Sequence, residues 1–432
     1  MKKIASYALG CKVNQYESEA IAELFAEKGY EVVSVDDEAD VYIINTCTVT
    51  NFGDKKSRQL IRKVKRQNEN AIVAVVGCYA QTAPEELAAV HGVNLVIGTK
   101  DKSKIVELVE DYQAEQGVQN YVTDIMHERV FEPLEIKKLA NRTRAYLKIQ
   151  DGCSQFCSYC IIPYARGPIR SRQPEDVIAE VKRLAENGFK EVVLTGIHVA
   201  SYGKDLKTIT LTDIIRQVHE VEGIERIRFS SIEPNVVTEE FAAAMAELPK
   251  VCDHFHLSLQ SGCDKTLKEM NRKYDTEKYR QAAALLRKYL PDVGITTDII
   301  VGFPGETEED YQASRAFAEE IGFSKIHVFP YSPKKGTPAA ARKDQLQNAV
   351  KQARSHDLIT VSDRMTDAFL QKHVGKVMPV LFERCVGDDV YEGHTTNYMK
   401  VHARSTKDLS NVIADTKILS VAEEMAFGEV EA

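Results

Sequence analysis

The chain has 432 residues, of which 44% are hydrophobic and 28% charged, and its formal net charge is −8. This supply of apolar side chains suits a globular protein of roughly three domains and excludes a disordered chain. No apolar run reaches the length of about 18 residues that crosses a bilayer, so we expect no membrane span. The acidic net charge argues only weakly against a nucleic-acid partner, because a local basic face is compatible with it.

The amino terminus predicts a cytoplasmic protein. Its apolar stretch is too short for a signal peptide, and Lys12 follows it at once. Cytoplasmic thiols stay reduced, so the nine cysteines are better candidates for metal or catalytic ligands than for disulfides. Cys252, Cys263 and Cys385 fit no pattern, and we expect them to be ordinary thiols.

The first part of the chain alternates short apolar runs with helical patterns, which is typical of an open parallel α/β domain. The expected strands cover residues 4–8, 31–35, 41–45, 71–77 and 94–97. The expected helices cover residues 18–28, 54–67, 84–90 and 103–112. Residues 113–140 are polar and aperiodic, and they include Lys137 and Lys138. We therefore predict a first domain at 1–112 and a linker at 113–140.

A second alternating series predicts six βα units within a domain at 141–371. The expected strands are 145–150, 191–195, 226–230, 254–259, 294–300 and 325–328. The expected helices are 174–187, 211–221, 238–247, 276–289 and 308–321, with a last helix over about 344–371. Six units are too few for a closed eight-unit barrel, so they predict a partial, open-sided barrel. Residues 372–432 are β-rich and predict a small appended β-barrel.

Three cysteines follow the first strand of the second domain directly: Cys153, Cys157 and Cys160. They are expected on one loop at the carboxyl end of a barrel strand, where such folds place active sites. Three cysteines on a short loop can hold three irons of a 4Fe-4S cluster and leave the fourth iron open to a substrate. The alternative is a four-cysteine zinc site, which needs two CxxC-like pairs, and the sequence has no second pair.

The CxxxCxxC spacing, with Tyr159 before its last cysteine, resembles the radical S-adenosylmethionine superfamily. The resemblance implies that S-adenosylmethionine chelates the open iron and that one electron cleaves it to methionine and a 5'-deoxyadenosyl radical. That electron needs a donor, such as a flavodoxin or a ferredoxin. Tyr159, Thr195 and Gly196 stand where the superfamily contacts the cofactor. A plain strand-end turn explains Thr195 and Gly196 equally well.

Three further cysteines each follow a predicted strand of the first domain. Cys11 follows the first strand, Cys47 the third and Cys78 the fourth. Because the carboxyl ends of parallel strands share one edge of a sheet, these residues can converge. Each alone is explained by core packing, since free cysteine is often a small buried hydrophobe. Their recurrence at three strand ends favours a second metal site.

Two cysteine triplets in this order, followed by a β-rich tail, resemble the methylthiotransferase family of radical enzymes over essentially the whole chain. The resemblance implies an auxiliary 4Fe-4S cluster on Cys11, Cys47 and Cys78, a second 4Fe-4S cluster in the barrel, and a carboxyl-terminal TRAM domain that binds RNA. Segments 161–167 and 256–262 also resemble the family.

The substrate expected from the resemblance is tRNA. Family members modify either the adenosine next to a tRNA anticodon or an aspartate of a ribosomal protein. Segments 9–18 and 45–51 resemble the branch that acts on N6-threonylcarbamoyladenosine. The isopentenyladenosine branch ranks second, and the ribosomal-protein branch third.

A predicted helix just past Cys47 carries seven cations, which are Lys55, Lys56, Arg58, Arg62, Lys63, Lys65 and Arg66. Phosphate contacts from such a face supply salt-dependent RNA affinity. A merely solvated helix face is the alternative. We expect Arg166, Arg170 and Arg172 to extend the basic surface toward the barrel, and residues 393–398 to offer stacking and polar groups to a base.

A different class of function is a non-catalytic iron-sulfur protein that binds RNA or senses redox state. It accounts for six cysteines and the basic helix. It does not account for a six-unit barrel that carries a triplet at its catalytic end. Cleavage of S-adenosylmethionine under reducing conditions separates the two hypotheses.

Overall fold

The structure is a computed structural model that describes residues 1–49, 51–136 and 143–431. Thr50, Lys137 and Lys138, all of which belong to segments used in the sequence predictions, lie outside the described residues. No helix in the described parts of the chain is long and apolar enough to cross a membrane.

The first 120 residues form a six-stranded parallel sheet with helices between the strands. Its strands are β1 (Lys3–Ala8), β2 (Glu31–Val32), β3 (Val41–Thr46), β4 (Ile72–Gly77), β5 (Leu95–Val96) and β6 (Gln119–Asn120). Its helices are α1 (Lys12–Glu27), α2 (Asn51–Gln67), α3 (Cys78–Thr82), α4 (Pro84–Ala88) and α5 (Ile105–Glu110). The strand order is β2-β1-β3-β4-β5-β6. The central strand β3 is buried at every position, as an apolar strand covered on both faces must be.

Several details of this domain differ from the sequence predictions. Helix α3 was not predicted, and β2 covers only two of the five residues expected at 31–35. Helix α1 begins at Lys12 and not at residue 18, because its first turns carry Asn14 and Glu17, which are polar yet buried and so hide the helical pattern. The predicted linker is partly structured, since β6 adds an edge strand to the sheet. Leu134, in the same segment, packs into the core of the next domain. Strand β6 has only two residues and is held by backbone pairing, so it is too short to show a hydrophobic periodicity in the sequence.

The second part of the chain is the predicted partial barrel. Its strands are β7 (Arg144–Asp151), β8 (Arg170–Ser171), β9 (Glu191–Gly196), β10 (Arg226–Phe229), β11 (His254–His256), β12 (Gly294–Val301) and β13 (Lys325–Pro330). Its helices are α6 (Ile162–Arg166), α7 (Pro174–Glu186), α8 (Leu211–His219), α9 (Glu239–Glu247), α10 (Asp264–Glu269), α11 (Thr276–Tyr289) and α12 (Glu308–Ile321). The short helices α6 and α10 were not predicted.

Six parallel strands of this barrel follow one another in the order β7, β9, β10, β11, β12 and β13. A parallel bridge between Ile232 and Leu257 joins its two halves. Strand β8 pairs antiparallel with the outer edge of β7. Within the described ranges no pairing closes β13 onto β7, so the barrel is open on that side. A large apolar core fills the space between the strands and the surrounding helices.

The last part of the chain is helix α13 (Asn348–Gln371) and a closed five-stranded β-barrel. The strands are β14 (Val377–Gly387), β15 (Val390–Thr395), β16 (Lys400–Arg404), β17 (Val412–Ala422) and β18 (Met425–Val430). They close in the order β14-β15-β16-β18-β17 around a small apolar core of their own. This confirms the predicted fold class of an α/β domain, a partial barrel and a small β-barrel.

Candidate metal centres and nucleic-acid interface

Cys11, Cys47 and Cys78 lie together at the carboxyl edge of the first sheet. They come directly after β1, β3 and β4, which are neighbours in the strand order. Burial, and then the neighbouring Cys78, raise the pKa of the Cys47 thiol to about 12. Burial also raises the pKa of Cys11, and again Cys78 contributes. The structure therefore brings these three sequence-predicted residues within electrostatic reach of one another.

Two glycines at the strand ends make this approach possible. Gly10 has a φ of +94°, and a Cβ built on it would lie 2.5 Å from Sγ of Cys47. Gly77 has a φ of +96°, and a Cβ there would lie 2.4 Å from Oδ1 of Asn45. Any other residue would collide with the wall of the site, so glycine is required at both positions.

Two buried polar atoms beside Cys47 have no hydrogen-bond partner among the described residues. They are the hydroxyl of Thr48 and Oδ1 of Asn45, and both side chains are fully buried. Buried polar atoms are normally satisfied, and one without a partner requires an explanation such as an absent bound group. The surroundings of the first triplet thus fit a bound group.

Arg166 joins the first triplet to the second domain. It ends helix α6, which directly follows the barrel triplet in the chain, and its side chain is fully buried. Its Nε donates to Sγ of Cys78 at 3.1 Å, and its Nη1 donates to Oε1 of Glu17 at 2.6 Å. Its Nη2 donates to Oδ1 of Asn14 at 2.7 Å. One guanidinium, at the end of a helix of the second domain, therefore contacts a candidate metal ligand of the first domain.

Positive charges outnumber negative charges around Glu17. The two carboxylates, Glu17 and Asp151, form ion pairs with four cations, all of them buried: Lys102, Lys148, Arg166 and Arg170. This group thus has two more positive than negative charges, with Cys78 at its edge. Buried cations need anionic partners. A bound anionic group at this edge of the sheet would supply them.

The prediction that Arg166, Arg170 and Arg172 extend the basic surface is wrong. Their side chains are 0%, 4% and 1% exposed, so none of them faces RNA. Arg166 and Arg170 reach Asp151, and Arg172 pairs with the buried Glu180 of α7. The sequence pattern does not show which arginines meet buried carboxylates.

The barrel triplet lies on the loop between β7 and α6. The amide of Cys153 donates to the carbonyl of Gly167 at 2.9 Å, and that of Cys160 donates to the carbonyl of Cys157 at 3.0 Å. Burial, and then Cys157, raise the pKa of Cys160 to about 12, while burial raises that of Cys153 to about 11. The loop thus collects all three thiols at the carboxyl end of a barrel strand, as predicted.

Arg272 is a residue of this site that the sequence analysis missed. Its Nη1 donates to Sγ of Cys157 at 3.2 Å, across 115 positions of the chain. Its Nη2 donates to Oε1 of Glu233 at 2.7 Å, and the other oxygen of Glu233 lies 3.3 Å from Nε2 of His198. Arg272 lies in a loop after α10, and no local sequence pattern predicts its contact with Cys157.

The three residues expected to contact S-adenosylmethionine occupy the same end of the barrel. Tyr159 lies on the triplet loop and packs against Phe303 and its apolar neighbours. Thr195 and Gly196 end β9, next to β7. A Cβ on Gly196 would lie 2.9 Å from Oε1 of Gln150, so the two strand ends touch here. Cofactor binding by these residues stays a prediction.

In the described parts of the chain, no three His, Cys, Asp or Glu side chains are close enough to hold a single metal ion. A 4Fe-4S cluster sets a different requirement, because each cysteine binds a different iron. Both triplets provide three thiols on one edge of a fold, and the first also provides surplus buried positive charge. The residues present thus fit two iron-sulfur clusters.

Helix α2 presents the predicted basic face, but only part of it is free. Three of the seven cations have partners in the chain: Arg58 pairs with Glu86, Lys63 with Asp36, and the Lys65 ammonium donates to two backbone carbonyls. The other four carry no ion pair to any described residue and are exposed, namely Lys55, Lys56, Arg62 and Arg66. Lys56, Arg62 and Arg66 also line an open groove of about 1360 Å³.

The expected stacking segment at 393–398 is engaged within the chain. The ring of Tyr398 stacks on His254 at 4.6 Å and on His394 at 4.9 Å, measured between ring centroids. Arg228 lies 4.7 Å from the same ring. Tyr398 therefore joins the small β-barrel to the partial barrel and is not a free platform for a base.

Two family models match the chain. The model described as the radical SAM superfamily matches residues 147–318, and the model described as uncharacterized protein family UPF0004 matches residues 3–98. The first range covers the barrel with its triplet on Cys153, Cys157 and Cys160. The second covers most of the first sheet with its triplet on Cys11, Cys47 and Cys78.

Curated relatives match nearly the whole chain. The threonylcarbamoyladenosine tRNA methylthiotransferase of Bacillus subtilis is 45% identical over 97% of this chain and 94% of its own. The tRNA-2-methylthio-N6-dimethylallyladenosine synthase of Akkermansia muciniphila is 36% identical over 97% of this chain and 96% of its own.

A solved structure shares the fold. The radical S-adenosylmethionine methyltransferase TsrM from Kitasatospora setae, with cobalamin and a [4Fe-4S] cluster bound, superposes with a TM-score of 0.59. The match covers 79% of this chain and 77% of that one at 15% identity, so it concerns the fold alone. The two matched domains and the full-length relatives lead to one conclusion. The chain belongs to the radical S-adenosylmethionine methylthiotransferase family.

Proposed function

We propose that this enzyme converts N6-threonylcarbamoyladenosine, next to the anticodon of tRNA, to its 2-methylthio derivative. The observation that carries the proposal is a pair of cysteine triplets on two different folds, linked by the buried side chain of Arg166. The substrate follows from the relatives. Three of them that are named for threonylcarbamoyladenosine, from Bacillus subtilis, Aquifex aeolicus and Thermotoga maritima, are 45%, 38% and 36% identical to this chain.

Dimethylallyladenosine in tRNA is the second candidate substrate. Relatives named for it are 36% and 37% identical over almost the whole chain, which is as close as some of the first group. Membership of the family is therefore compatible with two N6 substituents on the substrate adenine, a polar threonylcarbamoyl group and an apolar dimethylallyl group. The residues that contact this substituent determine which of the two the protein binds.

We assign an auxiliary 4Fe-4S cluster to Cys11, Cys47 and Cys78, and the radical 4Fe-4S cluster to Cys153, Cys157 and Cys160. When bound, these clusters and S-adenosylmethionine supply the one-electron chemistry and the methylthio group that the reaction needs. Acid-base groups cannot replace them, because the adenine C2 hydrogen has no useful acidity and C2 carries no leaving group.

The protein's own residues hold and orient these groups. Arg166 and Arg272 each donate a charge-assisted hydrogen bond to one cysteine sulfur, at 3.1 and 3.2 Å. We propose that Tyr159, Thr195 and Gly196 contact S-adenosylmethionine at the carboxyl end of the barrel.

The partners and domain limits follow from the same assignment. The free cations of α2 are proposed to bind tRNA phosphates, and a flavodoxin or ferredoxin to deliver the electron. We divide the chain into the auxiliary-cluster domain 1–112, the connecting segment 113–140, the radical domain 141–371 and a TRAM-like domain 372–432. The cytoplasm, where thiols stay reduced, is the compartment we propose.

The test is to remove the two triplets separately. The anaerobically reconstituted wild type should hold about eight irons, and each triple Cys→Ala variant about four. Loss of the barrel triplet should abolish both cleavage of S-adenosylmethionine and methylthiolation of tRNA. Loss of the auxiliary triplet should spare cleavage to 5'-deoxyadenosine and abolish only the methylthiolated product, measured by mass analysis of tRNA nucleosides.

The matched control is Cys385→Ala, which removes an exposed cysteine of the small β-barrel and should change neither activity. Zinc in place of iron in freshly isolated anaerobic protein would contradict the assignment. So would a folded auxiliary-triplet variant that still forms 2-methylthio-N6-threonylcarbamoyladenosine at the normal rate.

A further inference from the structure

A cavity of about 530 Å³ lies inside the partial barrel, on its open side. Its walls come from β10 to β13, from the start of α1, from the last turns of α13 with Phe369 and Leu370, and from the small β-barrel at Tyr398 and Lys400. Lys12, which lines it, directly follows the auxiliary ligand Cys11. The cavity therefore lies where the partial barrel, the start of α1 and the small β-barrel meet.

The cavity is lined with histidines whose ring nitrogens are not all satisfied. His254 is 6% exposed, and its Nδ1 has no partner among the described residues. The Nε2 of His256 is also buried without a hydrogen bond there, although a carboxylate oxygen of Asp298 lies 3.3 Å away. His327 stacks beside His256 with 5.9 Å between ring centroids and is exposed. Buried donors and acceptors left open in this way favour a polar ligand.

Lys12 is the cation of this cavity that is left for a ligand. Each nitrogen of the buried Arg228 guanidinium already donates a hydrogen bond, Nε to Glu191 at 2.9 Å and the other two to backbone carbonyls. Lys325 and Lys400, at the rim, each pair with a glutamate. Lys12 has no ion pair to any described residue, and its ammonium lies 6.0 Å from the centre of the Tyr146 ring.

We propose that this cavity receives the N6 side chain of the substrate adenosine, and that Lys12 pairs with the carboxylate of its threonylcarbamoyl group. The proposal rests on the proposed function and names the contact that selects its substrate. A threonylcarbamoyl group ends in a carboxylate and a hydroxyl, which match an ammonium and histidine nitrogens. A dimethylallyl group is a hydrocarbon and would leave the buried ring nitrogens of His254 and His256 without partners, which is unfavourable.

The test measures binding, with the full-length protein loaded with its clusters under anaerobic conditions. Three anticodon stem-loop RNAs of one sequence carry threonylcarbamoyladenosine, dimethylallyladenosine or plain adenosine. The wild type should bind the first at least about 10-fold more tightly than the other two, which corresponds to about 1.4 kcal/mol. Lys12→Met keeps the length of the side chain without its charge, and it should abolish this preference while leaving affinity for the other two RNAs unchanged.

Two lysine variants serve as controls. Lys12→Arg keeps the charge and should retain the preference. Lys28→Met removes an exposed lysine at the other end of α1 and should behave as the wild type. Iron content and circular dichroism show whether each variant is loaded and folded.

His327→Phe is an independent variant that lies far from the cysteines in the chain. It keeps a ring beside His256 and removes the ring nitrogens, so it should reduce the preference by about 3-fold. If Lys12→Met failed to load iron, unchanged preference in His327→Phe would overturn the proposal.

The proposal is also wrong if Lys12→Met keeps the wild-type preference, or if it weakens binding of all three RNAs equally, since Lys12 would then contact the phosphate backbone. The proposed function fails in a different way. In that case the wild type would methylthiolate the dimethylallyl RNA and not the threonylcarbamoyl RNA.

Discussion

Replacing Glu17 by Gln should destabilise the junction between the first domain and the partial barrel. Oε1 of Glu17 lies 2.6 Å from Nη1 of Arg166, 2.8 Å from Nζ of Lys148 and 3.2 Å from Nζ of Lys102, and all four side chains are at most 2% exposed. At an effective dielectric constant of about 20, each contact near 3 Å is worth about 5 kcal/mol before desolvation is counted. Glutamine keeps the shape of the side chain and removes the charge.

The net effect is smaller than the sum of these contacts, because the neutral amide of the variant would no longer carry the desolvation penalty of a buried carboxylate. Removing one partner of a buried ion pair typically costs about 3–5 kcal/mol, since it leaves uncompensated charge behind. We therefore expect Glu17→Gln to lower the free energy of unfolding by about 3–5 kcal/mol. Glu186→Gln, on the exposed side of α7, is the matched control and should change it by less than about 0.5 kcal/mol.

Urea denaturation followed by circular dichroism and by limited proteolysis would measure the change. A double variant, Glu17→Gln with Lys102→Met, sharpens the test because it removes one surplus cation together with the anion. It should be more stable than the sum of the two single changes allows. A Glu17→Gln midpoint equal to that of the wild type, or strictly additive single changes, would refute the reasoning from buried charge.

Two further predictions concern the surface. Reversing the charges of Arg62 and Arg66 to Glu should weaken tRNA binding. The slope of the logarithm of the binding constant against the logarithm of the salt concentration should flatten by about 0.7–0.9 for each lost phosphate contact. The same reversal at Lys182, an exposed lysine of α7, should change neither quantity. In the small β-barrel, burial opposes the ionisation of Glu392, but the hydrogen bond from His402 and nearby cations lower its pKa to about 2. Glu392→Gln should therefore reduce stability by about 1–3 kcal/mol at pH 7, a difference that should disappear as the pH falls from about 4.5 to 2 in denaturation experiments. Unchanged salt slopes, or a pH-independent difference, would contradict these two expectations.

Much of the architecture can be predicted from local patterns in the sequence. The alternation of apolar runs with helical periods predicts the parallel sheet and the partial barrel, because hydrophobic periodicity reflects one buried face of each element. The same reading locates the ends of β1, β3 and β4. From there, the rule that parallel strands share one carboxyl edge is enough to group Cys11, Cys47 and Cys78. The CxxxCxxC spacing needs no tertiary information at all.

Other features depend on contacts between distant residues. Arg166 resembles a surface cation in sequence, yet it is fully buried because Glu17 and Asn14 of another domain receive its donors. Those polar residues also hide the first turns of α1 from a hydrophobic pattern. Arg272 reaches Cys157 across 115 positions, and no local signal marks either end of that bond.

The cavity beside Lys12 is the clearest case of a feature decided by tertiary structure. Lys12 on α1, His254 on β11 and His327 on β13 line one space although they are far apart in the chain. Hydrophobic periodicity reports which face of an element is buried, so it describes strands and helices well. The position of a buried charge is decided by whichever partner can satisfy it, and that partner is known only once the chain has folded.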